Sequence, residues 1–281
     1  MTDRFVLITG ASKGIGQATA LRLAKAGFIV FAGVRSSEDG AALQSQHANI
    51  RPLLIDVTNA QQIADAAATI SAQAGTNGLA GLINNAGMAQ DIPLEFMPIE
   101  EFRKQIEVNL IGQLAVTQAF LPYLRKARGR IINITSIGGR IAAPLTGAYH
   151  ASKFALEGLS DTLRQQLAPS GIEVIVIEPG EIATPMWETS GQNAGRVVAS
   201  LSPSVIEQMM QLYGQLMTAG AAWAQRAAKR GLPPDKAAEV IERALTAPKP
   251  HTRYTVGQDA FIGAHIIAKL PDRLRDRLLR M

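Results

Sequence analysis

The 281-residue chain contains no cysteine, which excludes disulfides, thiol catalysis and cysteine-ligated metal sites. Its four histidines stand singly, at positions 47, 150, 251 and 265, and this spacing weighs against a metal site. No apolar run approaches the roughly 20 residues that a membrane-spanning helix requires. A strand-like run begins at Phe5 and leaves no room for a signal peptide, so we expect a cytoplasmic protein.

Basic residues are concentrated at one end of the chain. Residues 1–220 hold 16 Lys and Arg against 17 Asp and Glu, whereas residues 221–281 hold 12 against 6. A basic tail suits nucleic acid, an anionic membrane or an acidic partner, but a solvated basic helix is the simpler interpretation. Because no helix-turn-helix or arginine-rich stretch accompanies it, we expect no nucleic-acid partner.

Short apolar runs alternate with helical patterns along the chain. The runs predict strands at 5–9, 28–34, 51–55, 79–84, 131–135, 172–177 and 253–256. Helical patterns fall at 14–26, 59–74, 99–127, 147–168 and 235–247, with a bend expected at Pro122. Strands without polar alternation, separated by helices, predict an α/β protein with a doubly wound parallel sheet, a Rossmann fold of about seven strands. We interpret residues 1–281 as one such domain, with a helical lid at 185–230 and a C-terminal extension at 250–281.

A glycine-rich loop joins the first strand to the first helix. Glycines at these positions let the backbone turn tightly and approach a pyrophosphate, and the helix N-terminus adds unpaired N–H groups. An ordinary glycine-rich turn is the alternative. The candidate cofactor contacts in this loop are Gly10, Ser12, Lys13, Gly14, Ile15 and Gly16.

The end of the second strand carries no carboxylate, although an NAD site usually places Asp or Glu there for the ribose hydroxyls. Arg35 stands there instead and could clamp a 2′-phosphate, with Ser36 or Ser37 as a further donor. Lys13 points to the same pocket. This pattern favours NADP(H) over NAD, the alternative being that Arg35 is an ordinary surface side chain.

Tyr149 and Lys153 are four residues apart, so they share one helix face. A phenol titrates near pH ~10, and a neighbouring ammonium would stabilise the phenolate and lower that pKa. Such a tyrosine could exchange a proton with a carbonyl oxygen while a cofactor moves a hydride. Ser136 follows the fifth strand, where its hydroxyl could hydrogen-bond the same oxygen.

Together these motifs resemble the short-chain dehydrogenase/reductase family over roughly residues 1–185. The resemblance implies that Asn109 anchors a water linking Lys153 to solvent, that Ser136 orients the carbonyl, and that Tyr149 is the general acid/base. Tyr149 and Lys153 would also contact the cofactor, Lys153 at its nicotinamide ribose. Further cofactor contacts implied by the resemblance are Asp56 at the adenine, Val57 lining its pocket, Asn85, Ala86 and Gly87 along the cofactor, Pro179 and Gly180 in a turn, and Ile182 and Thr184 at the carboxamide.

Two residues stand out beside these motifs. Glu181 departs from the small or apolar residues that many family members carry after the Pro-Gly turn. His150 neighbours Tyr149, and we expect it to point away from the site because adjacent helix positions diverge by about 100°. From the family we also expect a homodimer or homotetramer built through the helices at 99–127 and 147–168.

The segment 185–230 falls where the family keeps its substrate loop. Its Met, Trp and Tyr residues suit an adaptable apolar lid, or simply pack the helices of the insertion. Residues 31–36 and the tail weakly resemble the retinol and 17β-hydroxysteroid dehydrogenase branch, which implies a bulky lipophilic alcohol or ketone. The tail places Phe261, Ile262, Ile266, Ile267 and Leu270 before Arg273, Arg275, Arg277 and Arg280. We expect it to cover the substrate cleft rather than to contact a membrane.

The first hypothesis is therefore an NADP(H)-dependent carbonyl reductase or alcohol dehydrogenase that acts on a lipophilic small molecule. A 3-oxoacyl thioester reductase is an alternative, although the long lid argues against it. A redox sensor that binds NADP without turnover is a third possibility, against which the Tyr149–Lys153 pair argues.

Overall fold

Seven parallel strands form one sheet in the computed structural model, which describes residues 4–279. They are β1 (Phe5–Ile8), β2 (Ile29–Val34), β3 (Ile50–Leu54), β4 (Gly81–Asn84), β5 (Arg130–Ile134), β6 (Glu173–Pro179) and β7 (Arg253–Val256). Their order across the sheet is β3-β2-β1-β4-β5-β6-β7, and every neighbouring pair is parallel. The doubly wound α/β fold predicted from the sequence is confirmed.

Helices connect the strands and cover the sheet. They are α1 (Gly14–Lys25), α2 (Ser37–Gln44), α3 (Ala60–Ala74), α4 (Ile99–Ile106), α5 (Gly112–Ala127), α6 (Gly147–Leu167), α7 (Met186–Ala199), α8 (Pro203–Arg230), α9 (Pro234–Thr246), α10 (Gln258–His265) and α11 (Asp272–Leu279). The predicted long helix near 99–127 is α4 and α5 joined by a π-helical turn, Glu107–Ile111. Pro122 lies inside α5, but the change of helical hydrogen bonding lies at this π turn.

The sheet is buried on both faces, which explains why its strands lack polar alternation. Residues of α1 and α9 pack over one face, and residues of α3, α5 and α6 pack over the other. A fully buried Phe such as Phe31 or Phe120 stabilises the fold by roughly 1.5–3 kcal/mol. These two cores fix the strands whose carboxyl ends carry the candidate site.

Strand β1 lies between β2 and β4, so the chain order reverses beside it. In open parallel sheets such a reversal opens a crevice at the carboxyl ends of the strands, where ligands bind. The loops after β1, β2, β4, β5 and β6 meet at this edge, and they carry most of the candidate residues.

The predicted C-terminal extension at 250–281 contains strand β7 of the sheet, followed by α10 and α11. Gly263 of α10 packs against Ile137, in the loop after Ser136, while Phe261 and Ile266 stay 52% and 54% exposed. The extension therefore borders the loop of the candidate site and also presents apolar side chains outward. Within residues 4–279 no helix is long and apolar enough to cross a membrane. Arg280, included in the predicted basic tail, lies outside the described residues.

Candidate active site

The glycine-rich loop has the shape that the sequence predicts. Gly14 has φ +59°, which favours glycine, and a Cβ there would crowd Thr184 at 3.2 Å. A Cβ at Gly16 would collide with the carbonyl oxygen of Gly10. Lys13 is the N-cap of α1 but provides no side-chain cap, so the first N–H groups of this helix face the crevice without a capping side chain. Ser12 and Ile15 flank this helix start and are half-buried.

Asn85 holds this loop from the neighbouring strand. Its Nδ2 donates to the carbonyl oxygens of Thr9 (2.9 Å) and Gly10 (3.0 Å). In return, the N–H groups of Asn85 and Ala86 donate to Thr9 Oγ1, both at 3.0 Å. Both hydrogen bonds of the Asn85 amide group therefore go to the backbone of the loop. Asn85 fixes the shape of the crevice by holding this loop in place, not by contacting a ligand.

Arg35 lies at the end of β2 with an exposed guanidinium that makes no ion pair or hydrogen bond within the described part of the chain. Ser36 caps α2, since its Oγ accepts from the N–H of Asp39 at 3.2 Å, and its hydroxyl hydrogen remains free to donate. An exposed cation and a helix N-terminus, both of which attract anions, therefore lie next to each other at the end of β2.

Asp56 and Val57 follow β3, and their side chains lie in different surroundings. One carboxylate oxygen of Asp56 accepts from the N–H and the hydroxyl of Thr58, which leaves its second oxygen available. The Val57 side chain packs against Gly112 in the core, so it supports the pocket from behind.

The side chain of Lys13 extends toward the lid and not toward Arg35. Its Nζ donates to Thr189 Oγ1 of α7 at 3.5 Å, on the side of the loop where Gly14 approaches Thr184. Helix α7 begins beside the glycine-rich loop, so Thr189 lies within reach of Lys13, whereas the Arg35 guanidinium has no partner within the described residues. A phosphate pocket shared by Lys13 and Arg35 stays a prediction.

Tyr149 lies on the first turn of α6 and faces Ser136, which follows β5. The pKa of Tyr149 lies above its ordinary value, not below it as the neighbouring ammonium led us to expect: burial raises the pKa most, the hydrogen bond with the Ser136 side chain lowers it, and the charge of Asp91 raises it. Ser136 Oγ also accepts from the N–H of Gly138 at 3.0 Å, which fixes its position. The structure therefore brings together the phenol and hydroxyl that the sequence paired.

Lys153 lies one turn further along α6. Its Nζ donates to the carbonyl oxygen of Ile134 at 2.8 Å and stands 5.7 Å from the centroid of the Tyr149 ring. Burial lowers the pKa of Lys153 to about 8, and the Glu157 carboxylate acts in the opposite direction. The amine therefore remains mostly protonated at neutral pH, beside the phenol.

Asn109 sits in the π-helical turn, and its side chain is fully hydrogen-bonded. Nδ2 donates to the carbonyl oxygen of Met88 (2.9 Å) and to Ser152 Oγ (3.0 Å), and Oδ1 accepts from the N–H of Met88 (2.8 Å). Gly87 lies between this amide and the Lys153 amine. Asn109 thus ties the loop after β4 to α6, and the water implied by the family resemblance would have to bind its backbone.

His150 turns toward the loop after Ser136. Its Nδ1 lies 2.8 Å from the Gly138 carbonyl oxygen, and its Nε2 accepts from the N–H of Ala143 at 2.9 Å. Burial lowers the pKa of His150, which favours the neutral ring with its proton on Nδ1. The ring braces the loop that carries Ser136.

Glu181, the residue after the Pro-Gly turn, joins the turn after β6 to the lid. Its Oε1 accepts from Trp223 Nε1 of α8 at 2.7 Å. Trp187 of α7 stacks edge-on against Trp223 at 4.9 Å, and its Nε1 donates to the carbonyl oxygen of Ile182 at 2.7 Å. The Ile182 side chain is buried in the core, and Pro179 ends β6 before the Gly180 turn. The two tryptophans therefore hold both lid helices against the turn that follows β6.

Two acidic residues near Tyr149 and Lys153 escaped the sequence analysis. Asp91, in the loop after β4, acts on the phenol, and Glu157 acts on the ammonium. Glu157 pairs with Arg253 of β7 at 3.0 Å. The spacing of Glu157 four residues after Lys153 could have revealed it, whereas no local pattern marks Asp91.

Comparison with known proteins places this site in a family. The model of the short chain dehydrogenase family matches residues 4–195. Retinol dehydrogenase 5 of Mus musculus is 36% identical over 285 residues, covering 99% of this chain and 88% of that protein. An NADPH-dependent 3-dehydrocapnine reductase of Ornithobacterium rhinotracheale is 33% identical over 281 residues, covering 98% and 95%. A 3-amino-tetrahydro-pyrrolizinone reductase of Xenorhabdus hominickii is 45% identical over 188 residues, covering 67% and 65%.

Solved structures agree with this assignment. A short chain dehydrogenase from Burkholderia cenocepacia in complex with NADP superposes with a TM-score of 0.75 at 28% identity. The superposition covers 99% of this chain and 98% of that one, so it includes the lid and the C-terminal extension.

Proposed function

Because the chain belongs to the short-chain dehydrogenase family, we propose that it is an NADP(H)-dependent oxidoreductase acting on lipophilic ketones, aldehydes or secondary alcohols. The observation that carries this proposal is the cluster of Ser136, Tyr149 and Lys153 beside the glycine-rich loop. The hydroxyl, phenol and ammonium sit at the carboxyl edge of the sheet, next to a helix N-terminus suited to a pyrophosphate.

The residues of the crevice fit NADP(H). The glycine-rich loop and the first turn of α1 would hold the pyrophosphate, Asp56 the adenine, and Thr184 the carboxamide. The unpaired guanidinium of Arg35 and the start of α2 would hold the 2′-phosphate. An NADPH-dependent relative and a neighbouring structure with NADP support this preference. When bound, the cofactor supplies a hydride for reduction or accepts one for oxidation.

In this proposal Tyr149 is the group that donates or accepts the proton. In reduction its phenol donates a proton to the carbonyl oxygen, and in oxidation the phenolate takes the proton from the hydroxyl. The Lys153 ammonium stabilises the phenolate, since it is buried beside the ring and lies in a medium that screens charge weakly. Ser136 hydrogen-bonds both the phenol and the substrate oxygen, so it fixes the direction of proton transfer.

The extent of the lid supports the proposal that the substrate is bulky. It crosses from the turn at Glu181 to the loop after β4, where Tyr213 donates to Glu95 at 2.8 Å. Leu145 reaches Gly220 of α8 from the loop before α6. The relatives' names span retinol and an amino-substituted pyrrolizinone, so the family alone allows both apolar and polar substituents near the carbonyl.

We also propose a homodimer or homotetramer built through α4, α5 and α6, the helices that correspond to the segments 99–127 and 147–168. Light scattering during size-exclusion chromatography would test it, and a monomer at micromolar concentration would overturn it.

The test of the proposed activity is the loss of NADPH absorbance with a panel of steroid, retinoid, aryl and 3-oxoacyl thioester carbonyls, with NADH in parallel. We expect turnover of at least one lipophilic carbonyl and a preference for NADPH. Selective reduction of the thioester would favour the 3-oxoacyl reductase. Tight NADPH binding without turnover in either direction would favour a redox sensor.

A further inference from the structure

Leu145 has a backbone conformation that leucine rarely adopts. Its φ is +72°, in the left-handed region that favours glycine. Arg128, the other non-glycine residue with a positive φ in the described part of the chain, caps the C-terminus of α5, where this conformation is common. Leu145 lies instead in the loop between Ser136 and α6. Because such a conformation is strained, it persists only where neighbouring groups hold it.

Helix α6 holds the loop around Leu145 on one side. His150 Nε2 accepts from the N–H of Ala143 at 2.9 Å, and Thr146 Oγ1 lies 2.6 Å from the same nitrogen. The ring of His150 is buried, so these contacts are shielded from water. Both ends of the segment 143–146 are therefore fixed to the first turn of α6, with the strained residue between them.

The same ring supports the groups that the proposed function uses. His150 Nδ1 lies 2.8 Å from the carbonyl oxygen of Gly138. The N–H of Gly138 in turn donates to Ser136 Oγ at 3.0 Å. His150 also follows Tyr149 directly in α6. A movement of the segment 143–146 would therefore reach both the Ser136 hydroxyl and the Tyr149 phenol through His150.

The lid helix α8 contacts Leu145 on the other side. A Cβ at Gly220 would lie 2.9 Å from Leu145 Cδ1, closer than real side chains approach, so the helix comes this near only because position 220 carries glycine. At Gly214 of the same helix a Cβ would meet only the flexible end of Met210, at 3.3 Å. Gly220 therefore differs from Gly214 in bringing the helix backbone against another segment.

Few other contacts fix the distance between α8 and the cleft. Only two of its 28 residues, Met209 and Ala227, are buried. Its hydrogen bonds to the loop after β4 and to the turn after β6 come from Tyr213 and Trp223. The contact with Leu145 falls between these two points along the helix, so it supports the middle of the lid.

We propose that Leu145 is a positioning residue that couples the lid to the proton-transfer groups. While α8 lies against Leu145, the segment 143–146 keeps its strained conformation and remains bonded to His150. When α8 moves away, the strain is released, and Ser136 and Tyr149 lose the support of that ring. The site is therefore aligned only under a closed lid. This inference rests on the proposed function and adds how the lid takes part in it.

The test measures the single-turnover rate of NADPH oxidation with a saturating ketone from the panel, because this rate reports alignment rather than substrate affinity. Gly220→Leu places a side chain where Leu145 lies and should lower the rate at least about ten-fold. The swap variant Leu145→Ala/Gly220→Leu moves the apolar side chain from the loop to the helix. It should recover a rate within about three-fold of the wild type, because the contact is restored from the other side.

Gly214→Leu is the matched control, because it adds the same side chain to the same helix away from Leu145, and it should keep the wild-type rate. Thermal unfolding and the Kd of NADPH show whether each variant keeps its fold and cofactor site. Where Gly220→Leu does not fold, Leu145→Ala removes the contact without a clash and should lower the rate about three- to ten-fold. A wild-type rate in both single variants, no recovery in the swap variant, or an equal loss in Gly214→Leu would overturn the inference.

Failure of the proposed function gives a different result. If no ketone is reduced, hydrogen–deuterium exchange of the amides in residues 138–147, followed by mass spectrometry with NADP present, decides about Leu145. These amides should exchange faster in Gly220→Leu than in the wild type and regain protection in the swap variant. The reason is that the Ala143 amide bonds to His150 only while the segment is held. Equal exchange in all three proteins would overturn the coupling without reference to turnover.

Discussion

The loop after β1 and the lid after β6 are held in place by opposite means. Hydrogen bonds between the short side chains of Thr9 and Asn85 and nearby backbone groups, and the close approach of Gly16 to Gly10, hold the loop next to the buried sheet. The lid is held by long side chains near the surface, such as Trp223 on Glu181 and Tyr213 on Glu95. Helix α8 has 28 residues but buries only Met209 and Ala227.

This difference separates two tasks. A cofactor site gains from a fixed backbone, because a pyrophosphate demands close approach at defined N–H groups. A substrate lid gains from contacts that can break, because segments with few buried contacts open at low cost. Changes in the first region should therefore alter chemistry or cofactor affinity, and changes in the second should alter substrate discrimination.

Tyr149→Phe should produce the largest effect on the chemistry. Loss of the phenol removes the proton donor, so kcat for ketone reduction should fall by about a hundred- to ten-thousand-fold. The Kd of NADPH, measured by cofactor fluorescence, should remain within about two-fold. Tyr123→Phe removes a phenol hydroxyl from α5, away from the crevice, and should leave kcat unchanged. A kcat in Tyr149→Phe equal to that of the wild type would show that another group donates the proton.

Arg35→Asp should have the next largest effect, confined to the cofactor. Replacing the cation by an anion should raise the Kd of NADPH about ten- to a hundred-fold, because a hydrogen bond to a charged phosphate is lost and repulsion is added. NADH lacks the 2′-phosphate, so its Kd in the same variant serves as the internal control and should not rise. Equal weakening of both cofactors would place the phosphate elsewhere.

Trp223→Phe should act on substrate discrimination. It keeps the aromatic ring beside Trp187 but removes the hydrogen bond to Glu181, so KM for a bulky ketone should rise about three- to ten-fold. KM for a small ketone and the Kd of NADPH should stay the same. Because the chain has two tryptophans, the emission that remains in this variant comes from Trp187 alone and reports the surroundings of that ring. A uniform loss for both ketones would contradict a role in discrimination.

Glu157→Gln should give the smallest effect, seen in the pH profile. Burial lowers the pKa of Lys153 to about 8, and the Glu157 charge counteracts this. Removing that charge lowers the pKa further, so the ammonium is lost at lower pH and activity at pH 8 should fall roughly two- to five-fold. Asp161 also pairs with Arg253, so Asp161→Asn serves as the control. It should leave the fall of activity at high pH where it is in the wild type. A pH–activity profile of Glu157→Gln that matches the wild type at high pH would exclude an effect of the Glu157 charge on Lys153.

Local patterns sufficed for the sheet and for the Tyr149–Lys153 pair, because strand periodicity and helical spacing follow from backbone geometry. They do not reach contacts between distant segments. Nothing local to Lys13 indicates that its Nζ donates to Thr189 Oγ1, 176 positions later, and its placement beside a cofactor phosphate stays a prediction. The effects of Asp91 on Tyr149 and of Glu181 on Trp223 likewise need the folded chain, since both join segments far apart in sequence.

The central claim is that this cleft passes a hydride from NADPH to a carbonyl carbon with Tyr149 as the proton donor. The most direct measurement is a single turnover with NADPH deuterated at the transferring position, followed by mass spectrometry of the alcohol. The account predicts one deuterium on the carbinol carbon for the wild type and a greatly slowed transfer for Tyr149→Phe. An alcohol without deuterium, or transfer at the same rate in both proteins, would contradict it.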